Sequence, residues 1–267
     1  MIRPPAVAGR FYPSNPKQLA REVDRYTSVT GEKSAALACV VPHAGYMYSG
    51  HVAGAVYSCL QIPPRCILLG PRHFPRGEAM AILTEGSWQT PFGEAQIDSA
   101  LARELTHADP HLREDVVAHQ TEHSLEVQVP FLQRLVGDFR FVPVVLGTDR
   151  YPLLEELGRA VAHVIAAQPE PVLIVASSDM NHYESDAITR LKDERAISRI
   201  LALDPRGLYD TVRGEGITMC GYAATVAMLV AALERGAKEA QLIRYATSGE
   251  ISGDYDQVVG YAGIVIK

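Results

Sequence analysis

The sequence predicts an α/β protein built as a three-layer α/β/α sandwich around a largely parallel or mixed sheet. Apolar runs of about four to eight residues, rich in Val, Ile and Leu, are typical of strands that are buried on both faces. These runs alternate along the chain with segments of helical periodicity, which is the pattern of layered α/β folds. The 267 residues contain no evident linker, low-complexity tract or repeat, so we expect a single domain over 1–267.

The first half of the chain predicts a mixture of strands and helices. Hydrophobic runs, capping residues and turn residues define them. In order we expect a helix over 16–28 capped by Ser14 or Asn15, a strand over 38–42, a helix near 51–60 and a strand over 66–70. There follow a strand, loop and strand over 79–97, a helix opened by Asp98, and a helical stripe over 122–137 that Pro130 kinks or breaks.

The second half repeats the alternation of strand and helix more regularly. We expect a strand over 139–146, helix 152–167, strand 171–177, helix 186–203, a very apolar helix over 220–236, and strands 241–247 and 258–266. The apolar helix should lie buried against the sheet, because it offers no polar face to water.

Composition excludes several classes of function. The formal net charge of −6 and the scattered basic residues argue against a nucleic-acid partner. No stretch reaches the roughly 18 apolar residues that a membrane span requires, so we expect no membrane insertion. The N-terminus lacks a signal-peptide pattern, and three of the four cysteines lie in apolar segments. We therefore expect a cytoplasmic protein with reduced thiols.

Four apolar runs end at residues that bind metals or transfer protons. They deliver His43, His73, the pair Asp179 and His182, and Asp149. Ligands of open α/β sheets bind beyond the carboxyl ends of the strands, where such residues meet. A lone strand-end histidine is more often bonded to a nearby carbonyl, but the same placement three times favours a shared site.

Cys220 differs from the other cysteines because it stands before Gly221, at the apparent start of the apolar helix. A helix N-terminus lowers the pKa of a thiol by stabilising the thiolate. The alternative is a small buried hydrophobic residue, the commoner fate of cysteine. Together with His43 and His73, Cys220 would form a site suited to iron, copper or zinc with positions left open.

Asp179 and His182 are candidates for acid–base chemistry. A neutral imidazole transfers protons near pH 7, and a nearby carboxylate fixes its tautomer. The polar segment around Asp179 is equally consistent with a cap for the next helix. Glu122 and His123, at the start of the 122–137 stripe, form a pair that indicates little by itself.

Taken together, these motifs resemble the Memo family (mediator of ErbB2-driven cell motility). The resemblance is carried by PHAGYMYSG, LLGPRH, EHSLEVQVPFLQ, SSDMNHY, MCGY and VVGYAG, which occur in the family's order. They extend over essentially the whole chain and are highly specific as a set. One departure is Phe74, which stands where many relatives have a second histidine.

The resemblance implies a fold shared with class III extradiol dioxygenases of the LigB type, which use non-haem iron. Matched motif by motif, it assigns the metal positions to His43, His73 and Cys220, pocket positions to Asp179 and His182, and the histidine of the EHS motif to His123. We therefore expect His182, Asp179 and His123 to be the catalytic residues. Cys220 lies where those dioxygenases are expected to supply a carboxylate. A thiolate would change the redox behaviour of iron, so ring cleavage does not follow from the fold.

Three functions remain open at this point. The first is an iron- or copper-dependent oxidoreductase acting on a small molecule in the crevice. The second is a metal-binding adaptor that holds a peptide or partner protein; the resemblance implies a possible partner in a radical-SAM system. The third is a thiol hydrolase with Cys220 as nucleophile and His182 as base. Zinc is the other metal that the ligand set would suit.

Overall fold

The computed structural model describes residues 1–28 and 32–267, and the mixed α/β fold predicted from the sequence is confirmed. The strands in the described residues are β1 (Ile2–Arg3), β2 (Ala38–Val41), β3 (Arg65–Pro71), β4 (Met80–Ile82), β5 (Ser87–Thr90), β6 (Gly93–Ile97), β7 (Arg113–Glu114), β8 (Arg140–Leu146), β9 (Leu173–Ser177), β10 (His182–Glu184), β11 (Ala240–Thr247) and β12 (Val258–Ile266).

The helices lie between these strands. They are α1 (Pro16–Tyr26), α2 (Tyr46–Ser58), α3 (Ser99–Ala108), α4 (Val116–Gln120), a 3-10 turn (Glu126–Gln128), α5 (Val129–Val136), α6 (Tyr151–Ala166), α7 (Asp186–Leu201), α8 (Pro205–Gly214), α9 (Tyr222–Glu234) and α10 (Gly249–Ser252). In the part of the chain that the structure describes, none of them is long and apolar enough to cross a membrane.

The sheet is parallel at its centre and contains antiparallel pairs on both sides, with β5 against β6 and β4 against β8 on one side and the pairs of β12 on the other. Strands β8, β3, β9 and β2 lie side by side in that order and run parallel. Strand β12 joins β2 in the antiparallel sense and also pairs with β11 and β10. The carboxyl ends of β3, β9 and β2 therefore meet at one edge of the sheet.

Helices cover both faces of this sheet. Helix α2 packs on β12 from one face, where a Cβ added at Gly263 would lie 2.5 Å from Val56. Helix α7 packs on the opposite face of β12. Its Asp193 carboxylate lies so close to Gly260 that a Cβ added to this glycine would meet it. Helices α6, α8 and α9 pack together, and α9 also contacts β2, β3, β8 and β9. The result is the three-layer arrangement expected from the sequence.

The local differences from the sequence predictions have physical causes. Helix α2 begins at Tyr46 rather than near 51, and the Tyr46 N–H donates to the Phe11 carbonyl from the N-terminal arm. The stripe predicted over 122–137 is not one helix, because the Glu122 carboxylate accepts the N–H groups of His123 and Ser124 in a turn. The break expected at Pro130 falls just before it, between the 3-10 turn that ends at Gln128 and α5 that begins at Val129, so that Pro130 stands in the first turn of α5, where no N–H is needed.

The N-terminal arm is fixed by a buried carboxylate. Glu126 accepts hydrogen bonds from the Arg3 guanidinium at 2.7 Å, from the Tyr12 hydroxyl at 2.7 Å and from the N–H groups of Ala6 and Val7. The Arg3 guanidinium also stacks on Trp88, 4.1 Å from the ring centre. These contacts hold the residues around Phe11 at the carboxyl edge of the sheet.

Candidate metal centre

An open cleft of about 610 Å³ lies beyond the carboxyl ends of β2, β3 and β9. Residues from the N-terminal arm, from the loops after these strands, from the loop before α9 and from β12 line it. The described lining residues are Phe11, His43, Ala44, Gly45, His73, His123, Asp179, His182, Tyr183, Thr218, Cys220, Val259 and Tyr261. The cleft thus contains all six residues that the sequence singled out as a site.

His43 and Cys220 face each other across the floor of the cleft. The Cys220 Sγ lies 3.2 Å from His43 Nε2, although the residues are 177 positions apart in the chain. His43 is 1% exposed and Cys220 is half-buried. Burial, with the neighbouring imidazoles of His73 and His123, holds the pKa of His43 well below its usual range. Its imidazole is therefore neutral at pH 7, the form that binds metal.

His73 is aimed into the cleft by a buried carboxylate. The Glu122 Oε1 lies 2.8 Å from His73 Nδ1, and Oε2 accepts the His73 N–H at 2.6 Å. Burial alone would raise the pKa of Glu122, but the bond from His73 and the N–H of Ser124 lower it to about 2. Because a carboxylate only accepts, His73 carries its proton on Nδ1 and turns Nε2 outward.

His123 completes a group of three imidazoles. Its ring stacks on His73 with centroids 4.5 Å apart and lies nearly perpendicular to His43 at 5.6 Å. Phe11 packs against its other side at 4.7 Å. Burial lowers the pKa of His123, although Glu122 opposes the shift. His123 therefore lies at the wall of the cleft as a neutral ring.

Asp179 is tied to the loop that carries His43. Its Oδ1 accepts the N–H of His43 at 2.8 Å and that of Ala44 at 3.3 Å, while Oδ2 lies 3.9 Å from His43 Nε2. Burial raises the pKa of the Asp179 carboxyl, although His182 and the N–H of His43 oppose the shift. One carboxylate oxygen is thus used for structure and the other faces the cleft.

His182 is held from behind by the loop before α9. Its Nδ1 lies 2.9 Å from the Thr218 carbonyl, and its N–H donates to Thr218 Oγ1 at 2.7 Å. A carbonyl only accepts, so the proton stands on Nδ1 and the lone pair of Nε2 is free. The next residue, Tyr183, has a φ of 60°, a left-handed conformation that a tyrosine rarely adopts and that often occurs at functional sites.

The expectation that a helix N-terminus lowers the pKa of Cys220 is wrong. Helix α9 begins at Tyr222 with Gly221 as its cap, so Cys220 stands before the cap, two residues from the first helical residue. Burial, together with the Asp179 carboxyl, raises the pKa of the thiol instead. The desolvation of this position therefore outweighs the helix dipole.

One strand-end residue singled out in the sequence, Asp149, lies outside the cleft, and several residues that line the cleft were not predicted. Asp149 ends a strand-like run but pairs with Arg213 on the surface and does not line the cleft. Phe11, Thr218 and Tyr261 line the cleft and were not predicted. The sequence indicates Glu122 only through its position directly before the histidine of the EHS motif. Phe11 and Thr218 lie in segments with no chemical pattern.

The arrangement brings together side chains that could hold a metal ion. In the described residues, the ligand atoms of His43, His73 and Cys220 lie within 4.8 Å of one another. The same holds for two overlapping groups, His73 with Glu122 and His123, and Asp179 with His182 and Cys220. Imidazole and thiolate together suit iron, copper and zinc.

Fold and cleft define the class of this protein: a three-layer α/β/α protein with a candidate metal centre at the carboxyl edge of its sheet. The chain belongs to the Memo family, since the sequence model of the family, described as Memo-like protein, matches residues 3–265. It is 40% identical to a MEMO1 family protein of Methanopyrus kandleri, over 100% of this chain and 99% of that protein. A MEMO1 family protein of Thermoplasma volcanium is 41% identical, with 99% and 98% covered.

A solved structure shares the fold at much lower sequence identity. An uncharacterized protein of Escherichia coli K12 superposes with a TM-score of 0.55 and 13% identity, covering 84% of this chain and 98% of that one. At this identity the likeness concerns the fold alone. It agrees with the layered architecture described above.

Proposed function

We propose that this protein is a metal-dependent oxidoreductase that acts on a small molecule in the cleft. His43, His73 and Cys220 would hold one metal ion, and iron is the metal we propose, with copper and zinc as competitors. The observation that carries the proposal is the convergence of these three ligand atoms at a cleft open to solutes. When bound, iron or copper would supply one-electron chemistry and an open position for a substrate oxygen or nitrogen.

The protonation of the residues fits such an ion. His73 donates its Nδ1 proton to Glu122 and turns Nε2 outward; burial lowers the pKa of His73, but the hydrogen bond and charge of Glu122 outweigh it and raise that pKa, so a metal ion would compete with a proton for Nε2. His43 is neutral because burial lowers its pKa. The pKa of Asp179 and that of the Cys220 thiol are raised by burial, so the metal-free site disfavours negative charge. A cation placed between these groups would offset that desolvation.

His182 and Asp179 would handle protons beside the metal. His182 keeps its Nδ1 proton on the Thr218 carbonyl and presents Nε2 to the cleft, which suits a base that accepts a proton from substrate or water. Asp179 would orient the loop of His43 and accept a hydrogen bond through its free oxygen. His123 and Phe11 would form an aromatic wall against which a flat substrate packs.

The charge of the cleft indicates the kind of substrate. Among the described lining residues there is no lysine or arginine, so an anionic group would find only the metal and the imidazoles. A neutral small molecule with an oxygen or nitrogen donor therefore fits better than a strongly anionic one.

Elemental analysis of protein purified without oxygen tests the metal site. We expect one equivalent of iron or copper in the unmodified protein, loss of the metal in His43→Ala, and retention in the control His163→Ala, which removes an exposed histidine. Metal in equal amount in all three proteins would contradict the proposal. A metal lost with His43 would also contradict the thiol-hydrolase hypothesis.

The role of His182 needs a separate variant. His182→Ala should retain the metal and lower turnover of any oxidised substrate by roughly 10²–10⁴-fold, as removal of a general acid or base does. Loss of the metal in this variant would make His182 a ligand. A stoichiometric metal without oxygen-dependent turnover on any small molecule would favour the metal-binding adaptor, with a peptide in the cleft.

A further inference from the structure

We propose that Ser177, supported by Gln128, is a positioning residue that fixes the His43 imidazole as the Nδ1–H tautomer and leaves Nε2 unprotonated toward the cleft. The proposal deepens the metal site proposed above and rests on it. Each hydrogen-bond direction follows from groups that can only accept or only donate.

The Ser177 hydroxyl proton is committed to a backbone carbonyl. Ser177 Oγ lies 2.6 Å from the carbonyl oxygen of Ser124, which can only accept. A hydroxyl has one proton, so Ser177 can only accept from its other neighbours. Ser177 is fully buried, so water does not offer the hydroxyl another partner.

Gln128 occupies one of the two acceptor positions of Ser177. Its Nε2 lies 2.9 Å from the Pro42 carbonyl and 2.9 Å from Ser177 Oγ, while Oε1 accepts the Tyr57 hydroxyl at 2.9 Å. The carbonyl of Pro42 fixes which end of the amide is the NH₂ group. Gln128 thus donates to Ser177 and keeps the hydroxyl from turning.

His43 must then donate to Ser177. Its Nδ1 lies 3.0 Å from Ser177 Oγ, which has no proton left to give. The opposite tautomer would place the Nδ1 lone pair against an oxygen lone pair, or would force Ser177 to abandon the Ser124 carbonyl. Either change leaves a buried polar group without a partner. Nε2 therefore carries the lone pair, 3.2 Å from Cys220 Sγ.

The same chain segment orients the second ligand. Residues 122–128 supply Glu122, which holds the Nδ1 proton of His73, and also the Ser124 carbonyl and Gln128, which act on His43 through Ser177. The Ser124 hydroxyl ties the segment to β3 by donating to the Pro71 carbonyl. One segment thus gives the same tautomer to two histidines that follow different strands, His43 after β2 and His73 after β3.

Nuclear magnetic resonance on the unmodified, metal-free protein gives the first test. Two-bond ¹H–¹⁵N spectra of histidine-labelled protein distinguish the two tautomers, and His43→Ala identifies the signals of His43. We expect the Nδ1–H form at neutral pH. An Nε2–H form or an imidazolium would overturn the proposal, and this test needs no variant of Ser177 or Gln128.

The second test uses Ser177→Ala, with Ser58→Ala as the matched control. Ser58 is also buried, but its hydroxyl donates to Ala55 within α2. In Ser177→Ala we expect the Nε2–H tautomer to gain population and the zinc affinity, measured by chelator competition, to fall about 10–100-fold. Ser58→Ala should change neither. An unchanged tautomer and affinity in Ser177→Ala would overturn the proposal.

The two tests separate this inference from the proposed function. If the unmodified protein has the Nδ1–H tautomer but zinc binding is insensitive to His43→Ala, the metal site is wrong and the tautomer assignment survives. If zinc binding depends on His43 but the spectra show Nε2–H, the metal site survives and the role of Ser177 is wrong.

Discussion

Glu122 and Glu126 are two buried carboxylates in the segment 122–128, and they differ in what their hydrogen-bond partners leave exposed to the cleft. Glu126 accepts four hydrogen bonds, all from the N-terminal arm, and none of the four donor residues lines the cleft that holds the histidines. Glu122 also accepts four, from both N–H groups of the following turn and from the N–H and Nδ1 of His73. The other nitrogen of that histidine faces an open cleft.

The difference distinguishes a structural polar cluster from the cluster that we propose to bind a metal ion. A buried cluster in which every donor meets an acceptor stabilises one conformation and is chemically silent. Around the cleft, by contrast, the Nε2 atoms of His73 and His182 are left over after the protein's own bonds are formed, and that of His43 meets only the Cys220 thiol. Unused lone pairs that converge on one space are what a ligand or metal requires.

The strongest test of the structural cluster is Glu126→Ala. It leaves the Arg3 guanidinium buried without its counter-charge, which should cost about 3–5 kcal/mol in the free energy of unfolding. Urea denaturation measures this. The control Glu85→Ala removes an exposed carboxylate that pairs with Arg103, and should cost about 0–1 kcal/mol. Equal losses would contradict the distinction between the two kinds of pair.

Asp193 offers an intermediate case, a buried carboxylate whose hydrogen-bond donors are neutral. It accepts from the Asn181 N–H and the Tyr245 hydroxyl. Burial raises its pKa from 3.8 to about 7, although Tyr245, Asn181 and Arg190 lower it and Glu184 raises it further. The folded protein thus binds a proton that the unfolded chain has already released between these pH values.

The stability that Asp193 contributes is therefore present at low pH and lost as pH rises towards 7. Its size is about 4 kcal/mol at most, from about 1.4 kcal/mol per unit of pKa. In Asp193→Asn this part of the pH dependence should disappear, as measured by urea unfolding at several pH values from 4 to 8. Asp210→Asn, at an exposed carboxylate, is the control. Parallel curves for Asp193→Asn and the unmodified protein would contradict the assignment.

The sequence could predict the cleft because strand ends have a fixed place in a parallel sheet. His43, His73 and Asp179 each follow an apolar run, and those runs became β2, β3 and β9, which are neighbours. The apolar runs, together with the rule that ligands bind beyond the carboxyl ends of parallel strands, were sufficient to predict where these three residues meet. Cys220 lies before a helix rather than after a strand, and only chemical reasoning and the family resemblance joined it to the others.

What the sequence could not predict depends on contacts between distant segments. The arm around Phe11 reaches the cleft through bonds between residues 3–12 and Glu126, and no periodicity records such a contact. The pKa of Cys220 was predicted in the wrong direction because burial, a tertiary property, dominates it. The turn at Glu122 interrupts a stripe whose spacing is helical, since its carboxylate binds the following N–H groups.

Cys220→Ser tests whether the thiol of the cleft cluster is a metal ligand. Serine keeps the shape but cannot supply a soft anionic ligand. Zinc at 100 times its dissociation constant should stabilise the unmodified protein by about 2.7 kcal/mol, and much less of this should remain in the variant. Cys59→Ser, at a half-buried thiol outside the cleft, should keep the full zinc effect. Thermal unfolding with and without zinc measures both, and an undiminished effect in Cys220→Ser would remove this residue from the site.

The smallest effect we predict concerns Glu122→Gln, at the carboxylate that belongs to both kinds of cluster. Glutamine keeps an acceptor for His73 but loses the charge that favours the Nδ1 proton. Zinc affinity should fall about tenfold, equivalent to about 1.4 kcal/mol, at the low end for partners behind a metal ligand. The control is Glu94→Gln, which makes the same change at a carboxylate outside the cleft and should leave the zinc affinity unchanged.

Two measurements on Glu122→Gln decide which role of the carboxylate dominates. Chelator competition reports the zinc affinity, and urea unfolding of the metal-free protein reports the stability of the turn at His123 and Ser124. If affinity falls while metal-free stability changes by less than about 1 kcal/mol, Glu122 acts mainly by orienting His73. If stability falls and affinity is unchanged, Glu122 is a structural carboxylate like Glu126, and the comparison between the two residues fails.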